Sequence, residues 1–303
     1  MWQGTFHPRE DMENGEIWLY DYSTPGLADD EALKLLTLKN FNTKDFHPLG
    51  IEFEASSSTL YIVNHAQTGS VIEVFNLSIK SSTANHVRTI KHPLVYSPNS
   101  IVALGDGKIF FTNDHYFRAR DFLLLSKVET FSGLPGGSVV FLDTNNPDSA
   151  KTLTQVPFAN GIAMLNATTL VVGSSSKAGL YFFEITPEYG LISKGYIRTP
   201  SSVDNVSVDG NGVVQMAGHV FAPALVAIAK NRHLCNAKSE KEEERRACDC
   251  GAPSWAAEWT EEKGLKELYK GYEICGSTTA VRDVKRGVGM ITMLYDKGIM
   301  VYS

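Results

Sequence analysis

No apolar run in this chain is long enough to cross a bilayer. The longest, HVFAPALVAIA over 219–229, falls short of the roughly 20 residues a membrane helix needs and carries Pro223. No basic opening followed by an apolar stretch starts the chain, so no signal peptide is visible. Basic residues are not in excess: 28 Lys and Arg face 34 Asp and Glu, for a net charge of −6. That leaves no electrostatic footprint for nucleic acid or an anionic membrane. The patterns G-x-S-x-G, H-E-x-x-H, the P-loop and G-x-G-x-x-G are all missing, which removes support for serine-hydrolase, zincin, NTPase and Rossmann readings. Helical periodicity is scarce. Its best candidates are DDEALKLL (29–36) and KSEKEEERRA (238–247), the second reading as part of a solvated, charged insertion over 230–262.

Cysteine is sparse as well. The four residues, Cys235, Cys248, Cys250 and Cys275, lie near the C-terminal end. A chain of 303 residues can bury a core without a disulfide framework. A zinc site from His233, Cys235, Cys248 and Cys250 would lack the usual Cys-x2–4-Cys knuckle, so disulfides or free thiols are expected instead. The spacing leaves their pairing open.

What the chain has in quantity is short strand signals. EIWLYDY (16–22), TLYIVNH (59–65), VIEVFNL (71–77), KIFFTND (108–114), SVVFLDT (138–144), TLVVGSS (169–175), LYFFEIT (180–186) and GVVQMAG (212–218) are rich in β-branched and aromatic residues and bounded by Gly, Asn, Asp or Ser. One cell recurs among them: SPNSIVAL (97–104), PFANGIAML (157–165) and SVDNVSVD (202–209) each set Asn before an apolar or alternating run. HPLGIEFE (47–54) has the same grammar with Leu49 and Gly50 at that place, and CGSTTAVRD (275–283) begins a last copy. Repeats of about 40–50 residues holding several short strands predict an all-β chain, a single β-propeller domain over 1–303. Dividing the length by the repeat predicts six blades. The first strand of each blade lines a propeller's channel, so Asn99, Asn160 and Asn205 are expected to converge there with Asp204. Amide oxygens with a carboxylate suit calcium, which takes six to eight oxygen ligands. The bland alternative, an Asn capping its own turn, fits any one of them but not three at one repeat position.

FHPLGIEFE, LYIVNHAQTGSVIEVF, PNSIVALGDGKIFFTNDHYF, FANGIAML, VDNVSVD and GMITMLYDKGIMVYS together resemble the serum paraoxonase/arylesterase family of six-bladed propellers, within the gluconolactonase-like superfamily. The resemblance implies a catalytic calcium held by Asn99, Asn160, Asp204 and Asn205, polarising the carbonyl of a lactone or aryl ester while water attacks. It implies catalytic roles for His65, matching one member of a water-activating histidine pair, for His219, a cavity histidine, and for Asp204.

The departures count too. The family's other paired histidine falls at Leu49, which cannot accept a proton; His47 stands two residues earlier. Ser100 replaces the Asp of a second, structural calcium, so that site is expected to be lost. A further Glu ligand and a strand are expected ahead of MWQGTF, which leaves the closing blade incomplete and points either to a longer, secreted parent or to a natural degenerate form. Two classes of function therefore stand: a calcium-dependent lactonase or arylesterase acting on a small molecule, and a catalytically degenerate propeller serving as a binding or scaffold module. Oligomeric state is not legible.

Overall fold

A computed structural model describes residues 13–303 apart from Pro25 and Lys297. The chain divides into two compact units, Met1–Gln155 and Val156–Ser303. Both are built from antiparallel meanders in which each strand pairs with the one before it, the blade of a β-propeller. In the first unit one meander runs through Pro48–Glu54, Thr59–Ala66, Gly69–Ser78 and Thr83–Ile90, with Thr37–Lys39 added in parallel to its outer strand. The next runs through Pro98–Gly105, Lys108–Asn113, Gly137–Asp143 and Asn146–Val156. The second unit holds Ala159–Asn166, Thr169–Ser174, Gly179–Ile185 and Leu191–Arg198, then Ser202–Val208, Val214–His219, Ser254–Thr260 and Gly264–Gly271, then the three strands Ser277–Asp283, Val288–Met293 and Met300–Tyr302.

These are five blades among the described residues, where division of the chain length predicts six. The discrepancy has a physical cause. Length was spent on excursions: a helix at Ala119–Ser132 and a long insertion after His219. Among the described residues before Pro48, the strands are the small pair Trp18–Tyr20 with Leu33–Leu35 and the strand Thr37–Lys39. DDEALKLL yields one helical turn, Asp29–Ala32, and then strand. The opening residues 1–12, ahead of which a further strand was expected, lie outside the described residues.

Burial explains why the strands differ in composition. TLYIVNHA at Thr59–Ala66 is buried at every position after the first, as a strand covered on both faces must be. The outer strand Leu191–Arg198, LISKGYIR, is mostly exposed. In the first unit Tyr61, Val63, Ile72, Val74, Ile101, Ile109, Phe111, Val140 and Leu142 form one core between two blades. In the second, Val171, Phe182, Val203, Val206, Met216 and Trp255 do the same. Tight turns close the meanders. Asp106 and Gly107 take φ of 54° and 78°, the paired left-handed geometry that joins two strands with two residues and favours Asp-Gly.

The helix at Ala119–Ser132 has no counterpart among the elements expected from the sequence. Its apolar residues do not keep to one face: Phe122, Leu124, Val128 and Phe131 are at least half exposed, so the pattern lacks the stripe by which amphipathic helices are recognised.

Candidate active site

The recurring Asn cell corresponds to a recurring backbone irregularity. In four of the five first strands a bulge sets two residues against one on the neighbour: Leu49 and Gly50, Asn99 and Ser100, Asn160 and Gly161, Asp204 and Asn205. Bulges kink the strand and re-aim a side chain, which is why they gather beside active sites. The register also refines the repeat. Asp204, not Asn205, stands where Asn99 and Asn160 stand, and Asn205 aligns with Gly50, Ser100 and Gly161.

Glycine at the second bulge position lets neighbouring first strands touch. A methyl at Gly50 would lie 2.0 Å from the Asn99 carbonyl oxygen, and one at Gly161 would lie 2.5 Å from Asn205 Cα. The second unit thus brings Asn160 alongside Asp204 and Asn205 on adjacent strands, while the first brings Leu49 alongside Asn99.

In the first unit Asn99 is buried and its Nδ2 donates to Asp114 Oδ2 at 3.4 Å. Asp114 Oδ1 pairs with His115 Nδ1 at 2.9 Å, and His115 Nε2 meets Thr130 Oγ1 at 2.8 Å. Asp114 and His115 are wholly buried. His65 is 1% exposed, its Nδ1 3.0 Å from Ser70 Oγ, and its backbone N–H donates to the His47 carbonyl. Burial pushes the His65 imidazole down to about 4, against a smaller opposing pull from the Asp114 carboxylate. The ring is therefore neutral at physiological pH. Leu49 packs against the core between the two blades and offers no proton acceptor.

In the second unit Asn160 Nδ2 donates to Ser175 Oγ at 3.0 Å, and Ser175 Oγ donates to the Val203 carbonyl at 2.7 Å. Asn205 Nδ2 donates to Thr279 Oγ1 at 3.1 Å. His219 Nε2 lies 3.0 Å from Asp204 Oδ2, so the ring donates to the carboxylate, while His219 Nδ1 is buried with no hydrogen-bond partner among the described residues. Tyr295 is near enough to feel Asp204: burial first, then that carboxylate, pushes its phenol up to about 12.

Asn99, Asn160 and Asn205 thus each commit their nitrogen to a fixed acceptor, which holds the amide plane and sets the oxygen on the other branch. In the second unit the oriented amides of Asn160 and Asn205 with the Asp204 carboxylate are a hard donor set that fits calcium. No group of three or more His, Cys, Asp or Glu gathers as a metal cluster among the described residues. The cysteines are all paired, Cys235 with Cys248 and Cys250 with Cys275, so the zinc alternative involving His233 has no thiolate.

The model of the Arylesterase family matches residues 6–233. The chain belongs to the arylesterase family. Among curated relatives it is 31% identical over 183 residues to serum paraoxonase/arylesterase 2 of Canis lupus familiaris, covering 59% of this chain and 50% of that one. To serum paraoxonase/lactonase 3 of Oryctolagus cuniculus it is 31% identical over 202 residues, covering 65% and 54%. This arylesterase-family chain thus spans about half the length of the curated relatives it matches. Among solved structures, a gluconolactonase from Xanthomonas campestris superposes with a TM-score of 0.51 at 14% identity, covering 88% of this chain and 73% of that one. A chain of a nidogen/laminin complex gives 0.55 at 9%, covering 92% and 82%. Likeness at such identities supports the propeller fold and nothing finer.

Within this family member, sequence reasoning overlooked Asp114 and His115 as site candidates, along with Ser175, Thr279 and Tyr295. The first pair carried a signal: in KIFFTNDH four polar residues, Thr112 to His115, follow an apolar run, and all four are buried. The others act through partners on different strands, and spacing along the chain does not show that.

Proposed function

We propose that the protein hydrolyses lactones or aryl esters with calcium held at the bulged first strands. One observation carries this: every residue of the oriented oxygen set, with His65 and His219, falls inside the stretch matched by the Arylesterase model. In the second unit Asn160, Asp204 and Asn205 would hold the ion, with His219 hydrogen-bonded to the same Asp204 carboxylate. Asn99 holds the matching register position in the first unit.

Bound there, calcium supplies Lewis-acid polarisation of the scissile carbonyl. The chain's own groups handle the proton. With Nε2–H anchored on Asp204, a neutral His219 presents a lone pair at Nδ1, and that nitrogen takes the proton of the attacking water. The ester C–O bond then breaks and His219 returns the proton to the leaving oxygen. His65, pushed down to about 4 by burial, keeps its ring as a neutral polar group hydrogen-bonded to Ser70.

The experiment compares His219→Gln with His65→Gln on an aryl ester and a γ-lactone. His219→Gln should lower kcat by roughly 10²–10⁴-fold and His65→Gln by far less. A His65→Gln variant as impaired as His219→Gln would overturn the assignment of the base, and a wild-type protein without hydrolysis would overturn the function.

A further inference from the structure

The chain leaves its sheet at His219 and re-enters at Ser254, and these two residues are register partners. The whole excursion over 220–253 is therefore rooted on the histidine that meets Asp204. It contains a helix at Ala222–Asn231, a shorter one at Glu242–Arg246 and the Cys235–Cys248 disulfide. Its other disulfide ties it elsewhere: Cys250 joins Cys275, just ahead of the strand Ser277–Asp283.

Cys275 is fully buried and anchors residues 294–296, at the end of the neighbouring strand Val288–Met293. Its carbonyl accepts from Tyr295 N at 3.2 Å, its N–H donates to Asp296 Oδ2 at 3.1 Å, and the Gly276 carbonyl accepts from Leu294 N at 2.9 Å. A methyl on Gly276 would lie 3.2 Å from the Tyr295 ring and 3.4 Å from a Leu225 methyl of the first helix. Ala224, Ile228, Cys250, Ala252, Cys275 and Tyr295 form one small apolar cluster. Helix, disulfide and tyrosine therefore stand together, and Ser277 Oγ donating to the Gly218 carbonyl at 2.8 Å, with Ser254 Oγ donating to the Ile274 carbonyl at 2.8 Å, ties the Cys275 segment to the strand end that carries His219. Cys250, Cys275 and Tyr295 all lie beyond the residues that the family model matches.

We infer that the Cys250–Cys275 disulfide is a clasp that holds Leu225 and Tyr295 as a fixed apolar wall of the substrate site, selecting the alkyl or aryl part of the ester or lactone. The inference rests on the hydrolase function proposed for this site and names its specificity element. Tyr295 and Leu225 are positioning residues: they shape where the apolar part rests and leave proton transfer to His219. Without the clasp, Gly276 and the Tyr295 segment keep their backbone bonds, but the helix loses its covalent tether to them. The cost falls on binding of the larger substrates.

The test compares Cys250→Ser/Cys275→Ser with Cys235→Ser/Cys248→Ser, which opens the insertion away from Tyr295. Substrates are phenyl acetate and γ-lactones with progressively longer alkyl chains. The first variant should raise KM for the longest lactone by roughly tenfold, the order of one or two lost methylene contacts, with kcat changed by less than about threefold. Phenyl acetate should be affected less, and the second variant should leave the whole series within about twofold of wild type. Hydrogen exchange supplies a readout without turnover: residues 222–231 should lose protection in the first variant only, while 294–296 keep theirs. Equal protection in both variants, or one uniform KM change along the series, would overturn the clasp. Absence of hydrolysis by the wild type, with the exchange pattern as expected, would instead sink the hydrolase function and leave the clasp as a structural tether. A first variant that fails to fold is replaced by Leu225→Ala and Tyr295→Phe/Leu225→Ala, which keep both disulfides and should show the same dependence on chain length.

Discussion

Gly161→Ala adds one methyl where two first strands of the second unit touch, and its consequence can be worked from the structure. The new carbon would lie 2.4 Å from Val206 N, 2.5 Å from Asn205 Cα and 2.8 Å from Asn205 C. All three are backbone atoms, so no side chain can rotate away. Ordinary contact needs roughly 3.5 Å, so the strands must part by about 1 Å. Overpacking of this kind costs typically 1–3 kcal/mol, which for a cooperative unit of this size lowers Tm by about 2–12 °C. The displacement falls on Asn205, with Asp204 just before it and Asn160 beside the new methyl. Metal ligands tolerate about 0.2 Å, so calcium affinity should drop by at least roughly tenfold. Gly210→Ala is the control, since nothing lies within 4 Å of its added methyl. It should leave Tm and calcium binding where they were. Differential scanning calorimetry and calcium titration calorimetry read both effects. A Gly161→Ala protein that melts within about 1 °C of wild type and binds calcium equally well would refute the reasoning.

Other outcomes are expected from the same structure. Asp204→Asn keeps the shape but removes the only carboxylate of the proposed set, so calcium binding should weaken by roughly 10²-fold or more, read by titration calorimetry. The His65 imidazole has a folded value of about 4 against an ordinary 6.5, so between those values the unfolded chain binds the proton that the folded chain refuses. Its contribution is complete above about pH 6.5 and lost progressively as pH falls toward 4, by up to about 3 kcal/mol. His65→Gln should flatten Tm against pH across that window. Arg282 bridges Asp209, whose side chain is fully buried, and Glu258. Arg282→Met should destabilise the protein by about 3 kcal/mol in urea unfolding, because the Asp209 charge stays buried without its partner.

The strands were legible because β-branched and aromatic runs such as TLYIVNHA and TLVVGSS sit between turn residues, and both form strands. The repeat was legible for a deeper reason: a bulge at one place in four of the five first strands forces the same local pattern. The blade count was not, because insertions lengthen the chain without adding a sheet. The helix at Ala119–Ser132 was hidden by apolar residues that face solvent instead of a core. For the site, the Asn and Asp positions could be read from their repeat. Their partners Ser175 and Thr279 could not, because each is supplied by a different strand or by the segment after one. The pairing of the cysteines likewise depends on the insertion folding back to Cys275, which no spacing encodes.

The measurement that bears most directly on the central claim is the initial rate of γ-lactone and phenyl acetate hydrolysis by protein stripped with EGTA, as calcium is returned in steps. The rate should fall to background on stripping and recover along a saturable curve, with Asp204→Asn shifted to much higher calcium. Hydrolysis that persists unchanged through stripping and in Asp204→Asn would contradict calcium catalysis at this site. A wild-type rate at background at every calcium concentration would contradict hydrolysis itself.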